Sequence, residues 1–334
     1  MKLSILDQAP VSSNQTAHDA LVEAMKLAQA GEKLGYRRYW IAEHHDLEGL
    51  ACSAPEVMLG YIGAHTHQIR IGAGAVLLPY YKPYKVAEQY NMLATLFPGR
   101  IDVGIGRAPG GSAEATNALS ETFLKSVWNM PNAVDELVSF LHDVGISANE
   151  HVKLSASPVP NIPAVPWLLG TSKKSAQLAA EKGLAYAFGH FMSDQDGPAI
   201  VQKYRESFEP QQQGDGPKVV ATVSAICAET TEQAEDLALS SLIWGIQKGN
   251  GLSPRGVPSI QEAKLYELNE KEQEELLKRK EKMVIGNPSE IKMKLEEIES
   301  MYHADEIMIV TITHLPADKI RSYELIANAL IHNE

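Results

Sequence analysis

Along most of the chain, short apolar runs alternate with longer stretches in which apolar residues recur every three or four positions. The short runs, rich in β-branched and aromatic residues and bounded by turn formers, predict strands at 2–7, 39–42, 69–78, 101–106, 167–169, 185–188, 219–228 and 305–310. Helical stretches separate them: 16–34 closed by Gly35, 55–64, 83–96 with proline in its first turn, and one from Ser112. Four more follow: one opening after 170–172 and ending near Gly183, then 197–207, one capped by Thr231, and 316–330. Strands alternating with helices build a parallel sheet, and eight such units predict an α/β fold of the (β/α)8 TIM-barrel type with insertions. The reading is a single domain over 1–334.

Three stretches depart from the rhythm. Pro158, Pro160, Pro163 and Pro166 mark an extended crossing segment before the fifth strand. Residues 245–261 have the composition of a mobile loop, either a lid over a site or a surface insertion. The charged run 271–282 reads as a solvated helix with i,i+4 ion pairs.

Composition narrows the function classes. A hydrophobic fraction of 44% supplies a large core. The net charge is −12 with no Lys/Arg cluster, which argues against nucleic acid and anionic membranes as partners while leaving room for a local phosphate site. Two cysteines, Cys52 and Cys227, without a CxxC pair argue against a disulfide framework or a zinc–cysteine site. The N-terminus turns polar too soon for a secretory signal, and no apolar stretch is long enough to span a bilayer. The expectation is a cytoplasmic protein.

Barrels of this type collect ligands at the C-terminal ends of their strands. Two predicted strands end in polar clusters there: Glu43-His44-His45-Asp46 after the second, and Arg107-Ala108-Pro109-Gly110-Gly111 after the fourth. An imidazole at His44 can exchange a proton near neutral pH, with Glu43 and His45 as pocket candidates beside it; the alternative is that these side chains cap loops. His65-Thr66-His67 has a metal-like spacing but falls at the opposite, stability-bearing face, and no metal is expected. Arg107, in a glycine-rich turn, can grip a phosphate with its guanidinium fork, or pair with a nearby carboxylate. Gly104-x-Gly106-x-x-Pro109 matches a dinucleotide fingerprint only superficially, because proline replaces the third glycine.

Thr171, Ser172 and Ser175 open the helix after the fifth strand, where free amides make either an anion site or an ordinary cap. Arg107 ends the neighbouring strand, so both could close on one phosphate. Gly72 and Gly74 inside the third strand mark a bulge or the close approach of a flat ring. Tyr80, Tyr81 and Tyr84 after the third strand, and His190 and Phe191 after the sixth, could line the mouth or simply pack.

In order and spacing, these pieces resemble the bacterial luciferase-like, flavin-dependent monooxygenase family. The resemblance rests on Tyr39-Trp40-Ile41-Ala42-Glu43-His44-His45, on the strand from Ile71 to Pro79, on Gln89-Tyr90-Asn91 with Leu93, and on Gly99 through Arg107. It continues in Leu169-Gly170-Thr171-Ser172, Ala179-Ala180-Glu181-Lys182-Gly183 and Gly286-Asn287-Pro288-Ser289-Glu290. It implies a homodimeric barrel that takes FMN, reduced by a separate NAD(P)H:flavin reductase, and passes oxygen from O2 to a small-molecule substrate. Within it, a non-prolyl cis peptide against the flavin maps onto Gly74-Ala75, the phosphate contacts onto Arg107, Thr171, Ser172 and Ser175, and the catalytic histidine onto His44. Relatives that use a deazaflavin coenzyme for hydride transfer, and one silent flavin binder, are the alternatives. Gly106 stands where the light-emitting subunit has a reactive cysteine, and His190 where it has a tryptophan, so light emission and a long-chain aldehyde are not carried over.

Overall fold

A computed structural model describes residues 1–144, 154–211, 214–250 and 256–332. Its strands are β1 (Leu3–Asp7), β2 (Arg38–Ile41), β3 (Arg70–Leu77), β4 (Ile101–Gly106), β5 (Val165–Gly170), β6 (Ala185–Gly189), β7 (Val219–Cys227), β8 (Met283–Gly286) and β9 (Glu306–Val310). All pairings between them are parallel. Strands β1 to β6 follow in sequence order, β6 pairs with β7, β7 with β9, and β9 returns to β1, which closes an eight-stranded barrel. Helices cover its outside, so strands such as β1, β2 and β4 are buried along their whole length and read as continuous apolar runs. Leu6, Trp40, Trp167, Val220 and Met308 pack together as an inner core, distinct from the larger core between strands and helices.

The eight predicted strands are the eight of the barrel. The ninth, β8, is an addition: its four residues pair only with the far half of β7, from Ser224↔Met283 to Cys227↔Gly286. Four apolar residues after a charged helix are too short a run to announce a strand, and only the unusual length of β7 gives them an edge to join.

Two further boundaries move. The helix Thr231–Gly249 continues through the first part of the predicted loop, with Leu242, Ile243 and Ile246 buried on it. A second helix, Ile260–Leu265, begins before the predicted loop ends, and Val257 pairs with Ser12. Residues 251–255 lie outside the described residues. Gly245 and Gly249 imitate a loop composition, and each costs about 1 kcal/mol against alanine in a helix; here Gly245 makes room for Arg279, whose Nη1 would lie 2.9 Å from a Cβ at that position. Thr230, and not Thr231, caps this helix by accepting from the Gln233 amide. The charged run forms the helix Glu270–Glu281, with one i,i+4 pair between Glu275 and Arg279. Lys280 and Lys282 instead reach Glu235 and Asp194 on other elements.

The N-terminal end of the barrel is sealed by charge. Arg38, at the start of β2, bonds Asp102 on β4 at 2.7 Å and Glu306 on β9 at 2.7 Å, and all three side chains are at most 5% exposed. Arg70 adds a second cation on Asp102, Trp40 Nε1 donates to Asp102, and Ser4 donates to Glu306. Among the described residues no helix is long and apolar enough to cross a membrane.

Candidate active site

At the other end of the barrel the two polar clusters singled out in the sequence are stitched together. The His45 amide donates to the Gly110 carbonyl at 2.9 Å, and the His44 amide to Cys52 at 2.9 Å. A Cβ at Gly111 would stand 2.2 Å from the His45 carbonyl oxygen, so the two loops can approach this closely only with glycine there.

Within this frame the three charged or aromatic neighbours separate into different tasks. Glu43 is 4% exposed and accepts from Tyr81 Oη at 2.6 Å and the Leu77 amide at 3.0 Å, with His45 Nε2 at 2.7 Å. Burial pushes its carboxyl above the usual range, opposed by those same hydrogen bonds. Both of its oxygens are therefore engaged in tying the β2 loop to the end of β3. His45 is held by that bond and by an edge-on contact with Tyr80, ring centroids 5.8 Å apart. Tyr80 in turn reaches the Pro109 carbonyl at 2.6 Å.

His44 is different. Its Nδ1 is buried and has no hydrogen-bond partner among the described residues. Burial, and then the charges of Lys248 and His45, lower its pKa to about 4. The ring is neutral at pH 7 and carries an unsatisfied nitrogen.

Arg107 is exposed at the end of β4, and among the described residues no carboxylate pairs with it. Among the described residues its one side-chain hydrogen bond is to Ser172 Oγ, 3.3 Å from Nη2. Ser172 caps the helix Lys173–Glu181 and forms a reciprocal capping box with Ser175. Ser175 is buried, donates to the Ser172 carbonyl at 2.7 Å, and lies 3.0 Å from Tyr186 Oη. Thr171 and Ser172 are thus the half-buried face of this helix start, while Ser175 is committed to building it.

Gly74–Ala75 is a cis peptide. The register between β3 and β4 shifts between Ala73 and Val76, so the glycines mark a bulge. The space a Cβ would need at Gly74 is filled from inside the barrel, by Leu6 Cδ1 at 2.7 Å and Trp40 Cβ at 3.2 Å. At Gly72 it is filled by Asp102 and Trp40.

Beyond β6 the two aromatic candidates part. His190 Nδ1 lies 2.9 Å from Tyr302 Oη, and burial lowers its pKa. Phe191 lines a cleft of about 840 Å3 together with Gln8, Trp244, Lys248 and Ile312. A larger depression of about 940 Å3 lies at the opposite, N-terminal end around Arg37, Asp102 and Lys218, away from the loops that carry His44 and Arg107. Sequence reasoning missed Trp244, which lies in the helix just before the predicted loop, and Lys248 and Arg279, which fall in stretches it read as a loop and as a solvated helix. The signal that could have found the first two is the helical spacing of Leu242, Ile243 and Ile246 running on past Gly245.

The luciferase-like monooxygenase family matches residues 1–304. The Bacillus subtilis protein YwcH, itself uncharacterised, is 41% identical over 98% of this chain and 99% of its own. The N-acetyl-S-alkylcysteine monooxygenase of the same organism is 33% identical over 99% of this chain and 98% of its own. Among solved structures, apo-MsnO8 is 31% identical with a TM-score of 0.89, covering 99% of this chain and 98% of that one. The fold also extends to the FMN complex of the oxygenating constituent of 3,6-diketocamphane monooxygenase from Pseudomonas putida, at 17% identity and a TM-score of 0.72 over 100% and 98% of the two chains. With the family spanning nine-tenths of its length on a barrel of the same architecture, the chain belongs to the luciferase-like monooxygenases.

Proposed function

We propose that this protein is an FMN-dependent monooxygenase that takes reduced FMN from a separate reductase and transfers one oxygen atom of O2 to a small organic substrate. The observation that carries the reading is the meeting of Arg107 and the capped start of the 173–181 helix, 3.3 Å apart and without a protein anion between them. A guanidinium and free first-turn amides on one point suit a phosphate monoester, and their donors fit such a group. The buried, unpartnered Nδ1 of His44 is a second sign that something polar completes this end of the barrel.

Bound reduced FMN supplies the two electrons that split O2, one oxygen atom going to the substrate and the other leaving as water. The residues do the rest. Arg107, Thr171 and Ser172 anchor the tail, while Ser175 holds the helix start in shape through its cap. Glu43, Tyr81 and His45 lock the β2 loop to the β3 end, so the His44 backbone is fixed by neighbours that make no demand on its ring. His44, neutral at pH 7, can take up and return a proton at a ring nitrogen in a site where burial keeps water scarce.

The test is a titration of the purified protein with oxidised and reduced FMN, riboflavin, FAD and the deazaflavin coenzyme, followed by oxygen uptake in the presence of reduced FMN. Tightest binding of reduced FMN, with riboflavin weaker, is the expected result. Preference for the deazaflavin with no oxygen uptake, or no affinity for any flavin, overturns it.

A further inference from the structure

The cleft of about 840 Å3 beside the barrel mouth has a charge opposite to that of the chain. The whole protein carries −12, yet the described lining of this cleft holds four cations, Lys248, Lys278, Arg279 and Lys282, against two carboxylates, Asp194 and Glu275. Both carboxylates are taken, Asp194 by Lys282 and Glu275 by Arg279 Nε. Lys248 has no anion among the described residues; its Nζ lies over the Trp244 ring, 4.2 Å from the centroid. Trp244 is itself 3% exposed with an unpartnered Nε1. Burial and the neighbouring Arg279 both lower the pKa of Lys248, the behaviour of a cation that lacks a counter-charge. Arg279 lies alongside, with its Nη1 in space that a Cβ at Gly245 would crowd at 2.9 Å.

The rest of the wall is apolar: Phe191, Met192, Leu242, Met283 and Ile312. Gln8, Phe191 and Ile312 in this wall follow the C-terminal ends of β1, β6 and β9, so the cleft opens at the same end of the barrel as the loop that carries His44.

We propose that this cleft is the substrate subsite and that the substrate is an organic acid, its carboxylate held by Lys248 with Arg279 beside it and its apolar body lying against Trp244 and Phe191. As a substrate assignment this rests on the monooxygenase reading above. As an anion site it stands without it.

The experiment therefore reads binding of a defined probe to the purified chain. Calorimetric titration with 4-phenylbutanoate and its neutral amide compares carboxylate and uncharged versions of one shape. The acid is expected to bind about tenfold tighter or more. Lys248→Met and Lys248→Gln should bring that ratio close to one with the amide unchanged, while Lys264→Met, removing a surface partner of Asp236, should keep it. Unchanged thermal midpoints in either Lys248 variant separate this from a loss of fold. Equal affinity for acid and amide, no binding of the acid, or a preference that survives both Lys248 changes overturns the proposal. So does a Lys248→Met protein that loses affinity for FMN but not riboflavin, because the cations would then serve the coenzyme phosphate. If the wild type binds the acid selectively yet no flavin, the anion site stands and the monooxygenase reading falls.

Discussion

The two ends of the barrel use the same kinds of residue to opposite effect. At the N-terminal end Arg38, Arg70, Asp102 and Glu306 are buried or nearly so, and the carboxylates are shared between cations at 2.5–3.4 Å. Trp167 Nε1 and Arg205 Nε lack a hydrogen-bond partner there among the described residues, but the Trp167 ring faces the Arg38 guanidinium at 4.7 Å and the rest of the Arg205 guanidinium is held by Asp305 and the His303 carbonyl. At the C-terminal end Arg107 and Lys248 have no carboxylate among the described residues, and His44 Nδ1 and Trp244 Nε1 have no partner. Folding leaves a buried polar group unpaired only at a cost of about 1–3 kcal/mol. A charge inventory that closes on itself is structural, and the one left open on the same barrel is what the proposed coenzyme and substrate would complete.

The sharpest break of that contrast is at the sealed end. Arg38→Met removes the cation shared by two buried carboxylates, leaving Asp102 to Arg70 and Trp40 and Glu306 to Arg37 and Ser4, and should cost about 3 kcal/mol of stability, measured by urea unfolding, without altering flavin affinity per folded molecule. His44→Ala should lower turnover about a hundredfold or more while leaving flavin binding and the unfolding midpoint at pH 7 near wild type. Unchanged turnover of an identified substrate would remove His44 from the mechanism.

Arg107→Met should weaken FMN about ten- to a hundredfold and leave riboflavin unchanged, since only the phosphate loses a partner. The pH dependence of stability gives a subtler distinction. His44 has a folded pKa near 4 against an ordinary 6.5, so its neutral form is favoured by the fold. Its contribution is complete above 6.5 and lost as pH falls toward 4, on the order of 3 kcal/mol at most. Unfolding at pH 7, 5.5 and 4.5 should show that decline in the wild type and a shallower one in His44→Ala. Lys264→Met, which breaks an ion pair half-exposed on both sides, should move neither midpoint nor binding.

Much of the architecture was legible without coordinates. Short continuous apolar runs bounded by turn formers mark the eight barrel strands, and the 3.6-residue recurrence of apolar positions marks the helices between them. It failed where the local signal was weak or misleading: the four residues of β8, and the helix that runs through Gly245 to Gly249. The placement of the candidate site was legible in outline. His44, Arg107 and Ser172 fall at strand ends facing one mouth, but Glu43, Ser175 and His190, equally plausible on paper, are occupied by Tyr81, Tyr186 and Tyr302.

Sequence alone determined the order of elements, the closure into a parallel barrel and the end at which polar clusters collect, because each is written in local periodicity and in where apolar runs stop. Tertiary structure alone decided which polar atoms are satisfied. Arg38 meets Glu306 across 268 positions and Trp40 meets Asp102 across 62, and no local pattern announces such partners. Whether a histidine or a lysine is a brace or a binding group depends on what folding brings within hydrogen-bond reach of it, and that is a property of the closed barrel.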